Sequence, residues 1–283
     1  MKKRIIVALV PLPLFFAILF FFPPYILAAA VSLLAAIGSF ELMRASNNVI
    51  QAPMRPVVYV IIIAVLVPIA VYFSNLVMSA AALMQVTSML TLFFILLSLL
   101  IIDFFLSMKS ERRIKWRQLL VIPVAAMVIP YMLSTLIGLR MMTAGHLLVL
   151  LPIIVAFLTD SGAYFTGVAI GKHKAFPTIS PNKTIEGCIG GLVTGIAGML
   201  IYGFIIDIAT LHTVSYPILI IYGLVGAVVT EAGDLVFSLI KRKCGVKDYG
   251  SIMPGHGGVL DRFDSMIFTA PTMYLLVAIL PAL

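Results

Sequence analysis

Residues 56–74, PVVYVIIIAVLVPIAVYFS, run without a single charged side chain. Wound as a helix, such a run rises about 28 Å, close to the ~30 Å thickness of a bilayer's hydrocarbon core. The reading would mean little if the run stood alone. Comparable apolar runs fall at 5–22, 24–43, 82–107, 118–138, 146–170, 188–207, 215–240 and 259–281, with Pro23-Pro24 forcing a tight turn between the first two. Hydrophobic residues occupy 62% of the 283 positions and charged residues 11%, and the mean hydropathy is +1.17. A water-facing surface cannot be built from that composition, whereas a lipid-facing one can. The fold class is all-α, a polytopic integral membrane protein of about nine transmembrane helices.

The charges set the orientation. The formal net charge of +8 does not point to nucleic acid, because Lys and Arg sit in short connectors rather than along a basic face. With nine spans and the N-terminus in the cytoplasm, every Lys and Arg except Arg140 falls on the cytoplasmic side, and the C-terminus lies opposite. The first run, after Met1-Lys2-Lys3-Arg4, is longer and more aromatic than a signal-peptide core and reads as a retained span. Cys188 and Cys244 are far apart in sequence, and read as inert thiols in a reducing compartment.

The chain divides in character. Residues 1–145 read as a scaffold of transmembrane helices whose spans carry almost no polar groups. Residues 146–283 read as the catalytic region, because Asp160, Glu186, Glu231, Asp234, Asp261 and Asp264 all fall there. Carboxylates in or beside membrane spans are costly and by default mark a site.

Three stretches hold the polar residues. In the first, TEAGDLVFSLIKRKCGVK over 230–247, Glu231, Asp234, Ser238 and Lys241 are spaced to line one helical face. A structural ion pair with snorkelling lysines is the plain alternative. In the second, DYGSIMPGHGGVLDRFDS over 248–265, Pro254, Gly255, Gly257 and Gly258 allow a sharp turn able to aim N–H groups at a phosphate. Asp261, Asp264 and Ser265 then open the last span on one face. The third covers 159–191, with Asp160, Lys172, Lys174, Ser180, Asn182, Lys183, Thr184 and Glu186. Its lysines, hydroxyls and asparagine suit phosphate or nucleotide contacts, with capping of the following helix as the plain alternative for Ser180 or Asn182. Gly187, Gly191 and Gly195 recur every four residues, a spacing that favours close helix packing over ligand contact.

Ser238-Leu-Ile-Lys-Arg242, Lys247-Asp248, Pro254-Gly-His-Gly-Gly258 and Asp261-Arg-Phe-Asp-Ser265 together resemble the signature of the CDP-diacylglycerol synthase (phosphatidate cytidylyltransferase) family. Ser180-Pro-Asn-Lys-Thr-Ile-Glu-Gly187 resembles that family's upstream motif. The resemblance covers roughly residues 160–265. It implies an integral membrane homodimer of the bacterial cytoplasmic (inner) membrane, with an active site facing the cytoplasm. The implied reaction makes CDP-diacylglycerol and pyrophosphate from CTP and phosphatidic acid in phospholipid biosynthesis. It further implies that Asp234 and Asp261 hold a catalytic Mg²⁺, with K⁺ as a second ion, and that Ser238, Lys241 and Lys183 are the family's essential serine and lysines.

The candidate catalytic set is thus Asp234, Ser238, Lys241, Asp261 and His256. Candidate substrate or nucleotide contacts are Asp160, Ser180, Asn182, Lys183, Thr184, Glu186, Arg242, Lys247, Asp248, Gly257, Gly258, Arg262, Asp264 and Ser265. The chemistry suits these residue types. A lipid phosphate is already an anionic nucleophile, so no Ser/His/Asp triad is required, and Mg²⁺ takes one or two carboxylates with phosphate oxygens completing its shell. His256 either donates to pyrophosphate or orders the loop, while His146 and His212 fall on the far side. Two other readings stay open: a transporter, which would need a polar path through the outer half of the membrane, and a CTP-dependent polyprenol kinase, which would transfer the γ-phosphoryl group.

Overall fold

A computed structural model describes residues 17–51, 55–77, 81–107, 116–210, 213–252 and 257–283. The chain is an all-α polytopic membrane protein, and seven helical segments of the described residues are long and apolar enough to cross a bilayer. They are Pro24–Ile50, Pro56–Leu76, Ala82–Asp103, Arg117–Met141, Gly145–Ile170, Ile185–Ala209 and Tyr216–Lys243. Most of the expected first span lies outside the described residues. The expected last span is a helix, Leu260–Ile279, whose first turns carry Asp261, Arg262 and Asp264; it is not among the seven.

The chain forms two compact units, Met1–Met141 with Lys241–Phe263 and Met142–Ile240 with Asp264–Leu283. The first contains α1 (Pro24–Ile50), α2 (Pro56–Leu76), α3 (Ala81–Ser107), α4 (Trp116–Pro123) and α5 (Ile129–Met141). Helix α2 packs against α1, α3 and α5, and α1 packs against α5. Between α4 and α5 the chain widens into one π-helical turn, Val124–Val128. Two prolines account for it. Pro123 opens the turn, the Ile129 N–H reaches back to the Val124 carbonyl, and Pro130 has no N–H to offer the carbonyls behind it. The Ser39 hydroxyl of α1 donates to the Ala125 carbonyl at 2.5 Å, so that buried group finds a partner on a neighbouring helix. Arg140, the one cation expected on the far side, donates to the carbonyls of Leu19 (3.0 Å) and Phe22 (3.3 Å). These lie at the end of a helical stretch over 17–21, where a positive charge complements the dipole.

The second unit contains α6 (Gly145–Leu148), α7 (Leu151–Ile170), β1 (Lys174–Phe176), β2 (Ser180–Thr184), α8 (Ile185–Ala209) and most of α9 (Tyr216–Lys243). Most of α10 (Leu260–Ile279) completes it. Small residues let α7 and α8 approach closely. A Cβ at Gly187 would lie 2.9 Å from the Ala163 carbonyl, and one at Gly191 3.0 Å from that of Thr159. The four-residue glycine spacing is a packing device. Both cysteines are free thiols, and burial pushes the Cys244 thiol above its ordinary range.

An antiparallel hairpin interrupts the helices, with Lys174 opposite Thr184 and Phe176 opposite Ser180 across an irregularity. It also corrects the expected cap of α8. Ser180 and Asn182 belong to β2 and stand too far upstream, whereas Thr184 occupies the N-cap and accepts from the Gly187 N–H at 3.1 Å. A cap side chain must sit immediately before the first helical residue to reach the third N–H. Thr184→Ala should therefore destabilise the protein by about 1 kcal/mol, read as a lower thermal midpoint in detergent; Thr184→Ser should restore most of it.

Candidate active site

Two groups of polar side chains emerge, one in each unit. In the second unit Lys183, near the end of β2, forms an ion pair with Asp234 of α9, its Nζ 2.6 Å from Oδ2. The other carboxylate oxygen of Asp234 faces the Ser238 hydroxyl one turn on, at 3.5 Å. Asp160 of α7 accepts from the Ser265 hydroxyl of α10 at 3.3 Å and interacts electrostatically with Asp234, Lys183 and Glu231. Glu231 is one turn before Asp234 on α9; its Oε1 is buried without a hydrogen-bond partner, and the Cys188 thiol lies against the carboxylate. Among the described residues of this group, acids outnumber bases.

Glu186, from the same motif, does something else. It accepts from the backbone N–H groups of Lys172 (3.1 Å) and His173 (3.2 Å), and lies 2.6 Å from His173 Nδ1. It clasps the start of the hairpin and so fixes the strand that carries Lys183. Ser180 is half-buried and Asn182 exposed. Asp264 is buried, with its Oδ1 accepting the Ser265 N–H at 2.9 Å.

In the first unit Lys241 donates to Asp261 Oδ1 at 3.0 Å and also lies over the Tyr249 ring, 5.5 Å from its centroid. Asp261 Oδ2 accepts from the backbone N–H groups of Tyr249 (2.8 Å) and Gly258 (2.9 Å). Asp261 is thereby both a charge partner and the knot of its loop. Two glycines permit the path. Gly245, at φ +68°, ends α9 with its N–H on the Arg242 carbonyl. Gly257, at φ +84°, leaves room beside the Asp261 carboxylate that a Cβ would invade, at 2.9 Å from Oδ2. Arg242, Lys247, Asp248 and Arg262 are exposed around this loop. Pro254, Gly255 and His256 lie outside the described residues.

Asp234 belongs to the second unit and Asp261 to the first, each paired with a lysine. Among the described residues no three His, Cys, Asp or Glu side chains form a metal cage. A carboxylate of either couple is the kind of ligand Mg²⁺ takes, one or two at a time with water and phosphate filling the rest of its shell. Each acid, taken by itself, keeps lone pairs beyond those its present partners use, and so suits such an ion as one ligand.

The sequence reading missed Glu41. This carboxylate sits in α1, 2% exposed, within the spans read as carrying almost no polar groups. Its Oε1 accepts the Val259 N–H at 3.1 Å and its Oε2 the Leu260 N–H at 2.8 Å. A lone acid in an apolar helix was the available signal.

Known proteins share part of this sequence. A phosphatidate cytidylyltransferase of Bacillus subtilis (strain 168) is 46% identical over 126 residues, covering 44% of this chain and 45% of the relative. Proteins of the same name from Staphylococcus haemolyticus (strain JCSC1435) and Staphylococcus aureus (strain COL) are 44% and 45% identical over 129 residues, 46% of this chain and 48% of each relative. The match thus spans about half the length of the curated relatives. A model described as the cytidylyltransferase family matches over residues 2–280, nearly the whole sequence, and the chain belongs to that family.

Proposed function

We propose that this protein transfers a cytidylyl group from CTP to phosphatidic acid, giving CDP-diacylglycerol and pyrophosphate. The observation that carries the reading is the pair of acid–lysine couples, Lys183–Asp234 and Lys241–Asp261, built from the motif residues themselves. Relatives named for this activity support the substrate assignment. We further assign the active site to the cytoplasmic face of the bacterial inner membrane and the working form to a homodimer, on the charge pattern and the family resemblance.

The chemistry follows from charge. One lipid phosphate oxygen bonds to the α-phosphorus of CTP as the bond to the β-phosphate breaks, and pyrophosphate leaves with the electron pair. All reactants are anions, so their repulsion is the main obstacle. Asp234 and Asp261 would hold the divalent cation, which when bound neutralises triphosphate charge and polarises the α-phosphorus. Lys183 and Lys241 rest on those carboxylates until the substrate brings phosphates of its own. Each ammonium then has a second anion within its reach, one on the nucleotide and one on the leaving group. The backbone knot on Asp261 keeps that carboxylate from following its lysine. Holding the two phosphates in line can lower the barrier by about 7–11 kcal/mol.

CTP labelled at the α-phosphate, given to purified protein in phosphatidate-containing micelles, tests the reading. Label should enter the lipid fraction, and the release of pyrophosphate should match it mole for mole. Label left on free CDP, with lipid gaining only the γ-phosphoryl group, would instead establish a kinase.

A further inference from the structure

The glycine-rich turn before α10 reads in sequence as a cradle for phosphate. In the structure protein carboxylates already occupy several donors in and beside its described residues. The Val259 and Leu260 N–H groups go to Glu41, and those of Gly258 and Tyr249 go to Asp261. Glu41 arrives from α1, more than two hundred residues away in sequence, and is buried. The site is shaped for it. A Cβ added at Gly250 or at Gly258 would run into the Glu41 carboxylate. The glycines make a slot, and the acid fills it.

Burying a carboxylate is costly unless its charge is answered. Here two backbone N–H groups at the positive end of α10 answer it, as charge-assisted bonds that are roughly twice as strong as neutral ones. Arg44, one turn along α1, adds favourable electrostatics and Asp261 unfavourable. A protein that only needed a helix cap has cheaper ones in a local Ser, Thr or Asp. Glu41 instead ties the first turn of the helix that carries Asp261 to a separate helix.

We infer that Glu41 is a positioning residue for the reaction: it fixes the backbone at 259–260 so that Asp261 stays held by the Tyr249 and Gly258 amides with Oδ1 turned to Lys241. The kinetic part of this inference rests on the cytidylyl-transfer reading above, and the structural part does not. Outer-shell partners of this kind typically contribute roughly 10–100-fold.

Glu41→Gln retains an acceptor for one N–H and turns an amide NH₂ toward the other. It should lower kcat roughly 10–100-fold and leave the KM for CTP little changed, because both Glu41 oxygens are turned to the backbone N–H groups of 259–260. Hydrogen exchange in detergent should accelerate at the backbone amides of 257–263 while those of 264–279 keep their protection. Gly250→Ala is the second variant. It retains the charge and displaces the carboxylate, and should give the same kinetic split and the same local exchange, which keeps the test open if Glu41→Gln does not fold. Native exchange at 257–263 in a folded variant, or a native kcat, overturns the inference. A fall in thermal midpoint with kcat intact also overturns it, since that is the behaviour of a purely structural cap. If wild-type protein moves no label from CTP to lipid, the transfer reading fails by itself, and the exchange contrast still decides whether Glu41 holds the turn.

Discussion

Asp261→Asn should abolish turnover, lowering it by roughly 10³-fold or more, since a lost metal contact removes several kcal/mol of transition-state stabilisation. The structure also predicts a cost to folding, and the two effects must be separated. Asp261 is buried and accepts three hydrogen bonds, two from backbone amides and one from Lys241. An asparagine answers at most part of that set, and it removes the carboxylate charge that the largely buried Lys241 ammonium now faces. Breaking such a pair from one side destabilises by about 3 kcal/mol. The double variant Asp261→Asn/Lys241→Met removes both charges and should recover much of the lost thermal stability. It should recover none of the turnover. If the double variant regained activity along with stability, Asp261 would be no more than a knot in the loop, and the metal assignment would be wrong.

The helices are legible in the sequence because lipid imposes one rule on every span, and residues 56–74 or 188–207 satisfy it without help from neighbours. The grouping of acids late in the chain is legible for a related reason: Asp160, Glu231 and Asp234 are expensive where they stand. What sequence hides is partnership. Glu41 stands three residues before Arg44 near the end of the apolar run 24–43; only the fold reveals that its partners are Val259 and Leu260. The hairpin hides because Ser180-Pro-Asn-Lys-Thr184 is polar and contains a proline, which argues against a strand. A two-stranded ribbon with both edges open tolerates it. Pro123 and Pro130 are plain to see, but whether they kink, break or widen a helix depends on who receives the freed carbonyl. Ser39 decides that.

Lys183→Met should lower turnover by roughly 10²–10³-fold, the loss typical of removing one preorganised charge that faces the developing negative charge. The reasoning starts from the resting pair. Lys183 Nζ lies 2.6 Å from Asp234 Oδ2, with Asp160 and Glu231 close enough to interact. Methionine leaves these acids facing one another without the ammonium that offsets their charge, so the variant should be less stable than wild type in EDTA. A divalent cation would substitute for the missing ammonium as a counter-charge. Addition of Mg²⁺ should therefore raise the thermal midpoint of Lys183→Met by more than it raises that of wild type, where the lysine already competes for the same carboxylate oxygen. Stability and turnover then part company, because Mg²⁺ restores the fold while no ammonium remains to meet the phosphates. Lys183→Arg, which keeps charge but not the compact ammonium, should hold wild-type stability in EDTA with an intermediate rate. A Lys183→Met variant whose Mg²⁺-induced shift merely equals that of wild type would mean the acids around Lys183 do not take up the cation. One that turned over at the wild-type rate would remove Lys183 from the mechanism.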